Sequence, residues 1–239
     1  MSYKIIILSV FLSTFCRLSA KVAPDYIHIC PGLKSACLKD NIQKTIPHFV
    51  KGVPNLGLIA TDPLKVNYLK FDLPGNLKIE FFNGNVTGVR KCIVDSVKYE
   101  DLTADLTVNC ELVIKGKYKA RGKVLLFTID GDGDAKIKIK SMIVNVKLFF
   151  EDKVREGVTY HEIKNTKWTS RFGDKVSFVF TNLFKGNPEL SQTILTFLNE
   201  NWEQVVDEFG QPMVNEALKV TLNVVKKFFK SIPKNELIA

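Results

Sequence analysis

From Pro188 to Lys230 apolar residues recur at intervals of three and four, the spacing of one helical face. Leu190, Ile194, Phe197, Trp202, Val206, Phe209, Met213, Val220, Val224 and Phe228 mark the stripe. Asn187 suits an N-cap and Pro188 a first helical residue. Forty-three helical residues would span about 65 Å at about 1.5 Å each. A compact domain of this chain length is about 44 Å across. Either the run breaks at Gly210-Gln211-Pro212 or the molecule is elongated, and in both cases a large apolar stripe needs a cover.

The preceding segment supplies one. From Lys65 to about Leu183 the period changes to two. Leu77, Ile79 and Phe81 alternate with Lys78 and Glu80, and Ile137 and Ile139 with Lys136, Lys138 and Lys140. Leu106, Val108, Cys110, Leu112 and Ile114 share one side, as do Val176, Phe178 and Phe180. Strands with one wet and one apolar face belong to antiparallel sheets. Turns are expected at Pro74-Gly75-Asn76, Asn83-Gly84-Asn85 and Asp130-Gly131-Asp132-Gly133. Ahead of the strands, residues 34–51 read as a helix bent or ended by Pro47. The class is α+β: a long C-terminal helix wrapped by a strongly curved antiparallel sheet.

Residues 1–20 carry Lys4, an apolar stretch from Ile5 to Phe15, and a small-residue exit at Ser19-Ala20. That pattern is a secretory signal peptide, and its eleven-residue stretch is too short to cross a bilayer, which takes about 20. Residues 21–239 then form one domain. The formal charge is +9, reduced to +7 by loss of Lys4 and Arg17. The lysines are spread along strands as a solvated face, and no basic cluster interleaved with aromatics points to nucleic acid. No later segment is long and apolar enough to be an integral membrane span.

Cys30, Cys37, Cys92 and Cys110 remain after Cys16 is removed. An even count in an exported chain favours disulfides over a metal site. Cys30 and Cys37 lack zinc or redox spacing and read as a small-loop staple, leaving Cys92 with Cys110. A hairpin turn centred on Asp101 would place those two opposite each other. Asn85-Val86-Thr87 is an N-glycosylation acceptor.

Signatures of catalysis are missing. No Gly-x-Ser-x-Gly elbow or phosphate loop occurs, and His28, His48 and His161 have no adjacent nucleophile signal. His161-Glu162 opens like a zinc-protease motif, but Asn165 stands at the second histidine position. Asp130, Asp132 and Asp134 alternate as in a calcium loop, yet Ala135 and Ser141 occupy the positions that need Gly and Glu. The expectation is no enzyme, no cofactor and no metal.

The ordered motifs resemble the insect takeout and juvenile-hormone-binding protein family. The likeness runs from about Ile29 to Leu237. It rests on the Cys30/Cys37 pair, the Gly-Val-Pro…Asp-Pro-Leu run of Gly52 to Val66, and the Asn-x-x-Val-x-Gly turn within Phe82 to Val89. It continues through the Gly-x-Tyr…Gly-x-Gly hairpin of Gly116 to Ala135 and the stretches 197–218 and 228–238. The resemblance implies a long helix rolled in a curved sheet. It also implies a carrier of a small hydrophobic ligand, such as a juvenile-hormone-, terpenoid- or fatty-acid-like molecule, in an internal tunnel. Moth hormone carriers place their second disulfide between a late strand and the C-terminal helix, and bind hormone with a strand tyrosine. Here the cysteines stop at Cys110, and Leu148 and Phe149 lie near that tyrosine's place. A takeout-like member is therefore implied.

Given that likeness, the expected lining is Phe49 from the first helix and Tyr68, Phe81, Val108, Leu112, Phe127, Ile139, Val146, Leu148 and Phe178 from the sheet. Phe197, Trp202 and Met213 follow from the C-terminal run. A secreted monomer is expected, with a receptor or a membrane surface as a further partner. The alternative is a membrane-surface or microbial-lipid binder of related fold.

Overall fold

The computed structural model describes residues 21–238; the expected signal peptide lies outside them. Helix α1 spans Ser35–Phe49. Seven strands follow: β1 Leu64–Leu73, β2 Leu77–Thr87, β3 Ile93–Glu100, β4 Thr103–Val124, β5 Phe127–Arg155, β6 Val158–Phe172 and β7 Val176–Phe180. Helices α2 (Pro188–Glu200) and α3 (Trp202–Ser231) close the chain. All strand pairings between these elements are antiparallel, in the order β1-β2-β4-β5-β6, with β3 on β4 and β7 on β5.

Strand β5 has 29 residues, about 96 Å if straight at about 3.3 Å per residue, so it must curve. It does so where the β4–β5 register shifts between Cys110 and Leu112, an extra residue that bends and twists the ladder. At that corner the strands change partners. One half of β4 pairs β2 and the other β3; one half of β5 pairs β7 and the other β6. The sheet thus rolls around the helices, whose stripe supplies Ile194, Leu198, Val206, Phe209, Val214 and Leu222 to the common core.

Cys92 and Cys110 are joined at the corner, and Cys30 and Cys37 close the turn before α1. Ile93 pairs Asn109 and Glu100 pairs Thr103, so the hairpin turns at Asp101-Leu102. Gln43 ties α1 to the same corner: its side chain accepts from Val94 N–H at 2.8 Å and donates to the Cys92 carbonyl at 3.0 Å.

Three local expectations need correction. The helical run breaks at Asn201, not at Gly210-Gln211-Pro212. Asn201 leaves helical geometry (φ −106°, ψ 31°), and its side-chain amide donates to the Phe197 carbonyl at 2.8 Å. A side chain that satisfies a terminal carbonyl competes with helix continuation. Pro212 stays inside α3, where Gln211 and Asn215 bond to Ser170 and Trp168 on β6. The remaining 30 residues cover about 45 Å, the width of the domain.

Asp130-Gly131-Asp132-Gly133 is not a turn but part of β5. An added Cβ at Gly131 would lie 2.5 Å from the Leu183 carbonyl oxygen, and one at Gly133 2.5 Å from that of Thr181. The glycines let the segment after β7 cross the strand, which is the other reason for glycine in a strand. Asn83-Gly84-Asn85 is likewise inside β2, where the β2–β4 register shifts. Asn83, at φ 50°, absorbs the extra residue, using the left-handed tolerance that also makes Asn a turn former.

Candidate functional site

The sheet's concave face and the helices enclose one apolar interior. Leu112, Ile139, Val146, Leu148 and Phe178 are buried in it. Phe81, Val108, Phe127, Trp202 and Met213 pack against it half-buried. Phe197 meets Phe127 edge to face, with ring centroids 4.9 Å apart. Phe81 lies flat in a notch made by Gly84 and Gly116, where any side chain would collide with its ring.

Two expected lining residues sit elsewhere. Tyr68 is on the outer surface and 55% exposed. In β1, Leu64 and Val66 face inward, and so do Leu69, Phe71 and Leu73; the alternation slips by one at Asn67, and Tyr68 is carried outside. Phe49 packs edge to face on Phe228 in a separate cluster with Ala23, Leu58, Val224 and Ile232. That cluster caps the C-terminal end of α3. Glu236 fastens the cap by accepting from the backbone N–H groups of Val22 and Ala23 at 2.8 and 2.6 Å.

The other end of α3 is open. Clefts of about 380 and 400 Å³ flank Trp202. One is walled by Leu195 and rimmed by Lys175, Gln192, Thr196, Asn199 and Glu200; the other is walled by Phe172 and Val206 and rimmed by Asp174, Glu203 and Asp207. The two clefts thus lie at the α2–α3 junction, and the apolar cluster at the opposite end of α3 is capped.

Several inward residues were not among the expected lining: Ile114, Ile137, Phe180, Leu218, Val225 and Phe229, all half-buried against the core. The two isoleucines share the alternation of Leu112 and Ile139 and were readable from it. Phe229 was not, because it leaves the main stripe and packs on Phe150 at 5.1 Å.

The polar groups near the interior hold structure. The Tyr118 hydroxyl donates to the Thr181 carbonyl at 2.8 Å, and burial pushes its pKa up to about 12. His161, 1% exposed, stacks on Phe150 at 4.4 Å. Its Nδ1–H donates to Asp152 at 2.6 Å, and its Nε2 faces the Tyr99 hydroxyl at 2.8 Å. Lys234 donates to the second Asp152 oxygen at 2.5 Å. Burial lowers the His161 pKa, with Asp152 opposing. Asp62, 3% exposed, accepts from Arg90 N–H at 2.7 Å and from its Nε at 3.2 Å, so the Asp-Pro-Leu motif anchors the turn before β3. Asp130 and Asp132 face Lys185, and Asp134 faces Lys117. Among the described residues no group of three His, Cys, Asp or Glu could hold a metal ion, and no helix is long and apolar enough to cross a membrane.

Comparison with known proteins agrees with this architecture. The crystal structure of Epiphyas postvittana Takeout 1 superposes with a TM-score of 0.85 at 34% identity, covering 89% of this chain and 99% of that one. The circadian clock-controlled protein daywake of Drosophila melanogaster is 27% identical over 237 residues, 92% of this chain and 90% of that protein. The protein of the same name in Drosophila yakuba is 25% identical over 228 residues, 89% and 87% of the two chains. The family model for haemolymph juvenile hormone binding protein matches residues 6–239. A match of that extent, over a sheet rolled around a long C-terminal helix, means that this chain belongs to the haemolymph juvenile hormone binding protein family, as a takeout-like member.

Proposed function

We propose that the protein is a secreted carrier of one small hydrophobic molecule, held between the sheet and α3 and loaded at the Trp202 end. The observation that carries this reading is the state of the inward-facing apolar residues. Val108, Ile114, Ile137, Met213, Leu218 and Val225 come from both sheet and helix, yet all are only half-buried. In a close-packed interior such positions would be covered; residual exposure at inward-facing apolar positions suits an apolar guest. Burying about 300 Å² of ligand would contribute about 7.5 kcal/mol at about 25 cal/mol per Å², before association costs. Micromolar binding needs no charged contact. Membership of a family named for hormone binding supports the same ligand class. The two disulfides support an oxidising compartment, with residues 1–20 as the export signal and 21–239 as one ligand-binding domain. Phe81, Val108, Phe127, Phe197, Trp202 and Met213 are the expression of the site we assign to ligand contact.

Tryptophan fluorescence tests this. Trp202 stands between the clefts, whereas the Trp168 indole N–H is fixed on Asn215 at 2.9 Å. Titration with palmitate or a juvenile-hormone analogue should give a saturable change that Trp168→Phe keeps and Trp202→Phe loses. No saturable change with either ligand would refute the loading site.

A further inference from the structure

The outer face of the sheet contains one row that differs from its neighbours. Lys65, Asn85, Lys115 and Lys136 are in register across β1, β2, β4 and β5. Other rows carry matched charge: Lys117 meets Asp134 at 2.7 Å, Lys138 meets Glu111 at 3.2 Å, and farther along Arg121 meets Asp130 at 3.7 Å. Among the described residues Lys65, Lys115 and Lys136 have no carboxylate within 4.0 Å. Lys115 and Lys136 are direct cross-strand partners, an arrangement that like charges disfavour.

Beside this row stands an aromatic pair. Tyr68 and Phe82 are cross-strand partners, and Tyr68 is 55% exposed. Phe82 and Asn85 are three residues apart and would face opposite sides of a regular strand. The extra residue at Asn83 brings both to the outer face, while Phe81 turns inward against Gly84. Asn85 is exposed and begins an Asn-Val-Thr acceptor sequence, whose Thr87 hydroxyl donates to the Val113 carbonyl at 3.2 Å. The acceptor asparagine thus sits amid an apolar platform and unmatched ammonium donors.

We infer that Asn85 carries an N-linked glycan whose first N-acetylglucosamine rests on Phe82 and Tyr68, with its hydroxyl and acetamide oxygens accepting from Lys65 and Lys115. The inference rests on export of the chain. In the transfer the Asn85 amide nitrogen attacks the anomeric carbon of a lipid-linked oligosaccharide pyrophosphate. The N–C bond forms, the bond from that carbon to the pyrophosphate oxygen breaks, the amide loses one proton and the pyrophosphate leaves as the anion. The sugar's apolar face then covers the rings, and its oxygens replace water around a like-charged row.

The test is secretion of the full chain from insect cells. A parallel chain has residues 1–20 replaced by a proven export signal, so that Asn85 is read even where the native leader fails. Intact-mass analysis should show an added glycan that Asn85→Gln abolishes. The glycosylated protein should melt about 2–4 °C above the Asn85→Gln protein. In the background of Phe82→Ala that difference should vanish, which a glycan merely projecting into solvent would not produce. Retention of the native chain inside cells, with modification of the chain bearing the substituted signal, counts against export and leaves the glycan seat supported. Secreted protein with unmodified Asn85, equal melting temperatures, or a difference that survives Phe82→Ala would overturn the inference. So would unmodified protein whose lysine row binds anionic vesicles instead.

Discussion

Replacing Gly131 by Ala separates two readings of the Asp-Gly tract. In an exposed turn the methyl group would meet solvent. In β5 it meets backbone: the new Cβ lies 2.5 Å from the Leu183 carbonyl oxygen, 2.6 Å from that of Asn182 and 2.8 Å from the Leu183 carbonyl carbon. Real Cβ contacts do not fall below 3.0 Å, so the segment after β7 must move by at least 0.5 Å, the difference between 3.0 and 2.5 Å. No side chain can rotate away, because the obstacles are main-chain atoms. Overpacking of this kind costs about 1–3 kcal/mol, which for a domain of this size lowers the melting temperature by about 2–12 °C. The displaced segment holds two backbone–backbone hydrogen bonds to β5, Thr181 N–H to the Asp134 carbonyl at 3.0 Å and Lys185 N–H to the Asp130 carbonyl at 3.4 Å. Hydrogen exchange should therefore speed up at Thr181 and Lys185, some fifty residues from the substitution. Gly157→Ala is the control: it lies in the real β5–β6 turn at φ 79° with nothing within 4 Å, so it should leave those two amides protected. A neutral melting temperature for Gly131→Ala, or unchanged exchange at Thr181 and Lys185, would refute the reasoning.

Three further outcomes are expected. Asp62→Ala removes the acceptor of two backbone N–H groups and the Arg90 guanidinium, and should destabilise the protein by about 2–4 kcal/mol in urea titration; a loss below about 0.5 kcal/mol would contradict the anchoring role. His161 has its pKa held below the ordinary 6.5 by burial, so the unfolded chain takes up the proton first and stability is lost as pH falls through about 6.5. The melting temperature should drop between about pH 7.5 and about pH 5.5, and His161→Gln should flatten that slope; parallel slopes would show that another group is responsible. Calcium or a chelator should leave the melting temperature unchanged, because Asp130, Asp132 and Asp134 each face a lysine; a rise of several degrees with calcium would reveal a site there.

The regular parts of this fold were legible because they are encoded locally. Period-two alternation gave the strand faces, and Asn187 with Pro188 marked the start of α2, where the Asn187 side chain accepts from Leu190 N–H at 2.9 Å. The Cys92/Cys110 register followed from counting outward from Asp101. What local pattern could not give was the place where alternation slips. Tyr68 reads as inward if one counts by two from Leu64, and only the slip in alternation at Asn67 sends it outside. Asp-Gly at 130–133 carries a genuine turn preference that is overridden by a contact with residues fifty positions later. The same holds for Phe49, whose helical face was evident while its partner, Phe228, was fixed by how the chain ends meet. The interior lining could be listed from apolarity, but its division into covered and half-covered positions depends on the curvature of β4 and β5 and so on the bulge at Cys110.

Native mass spectrometry of the secreted protein, purified without detergent, addresses the carrier reading most directly. The account predicts one apolar molecule retained per chain and released on denaturation in organic solvent, with Met213→Trp, which fills the half-covered interior, secreted in the ligand-free form. A wild-type chain that flies empty, and that takes up neither palmitate nor a juvenile-hormone analogue when they are added back, would contradict it.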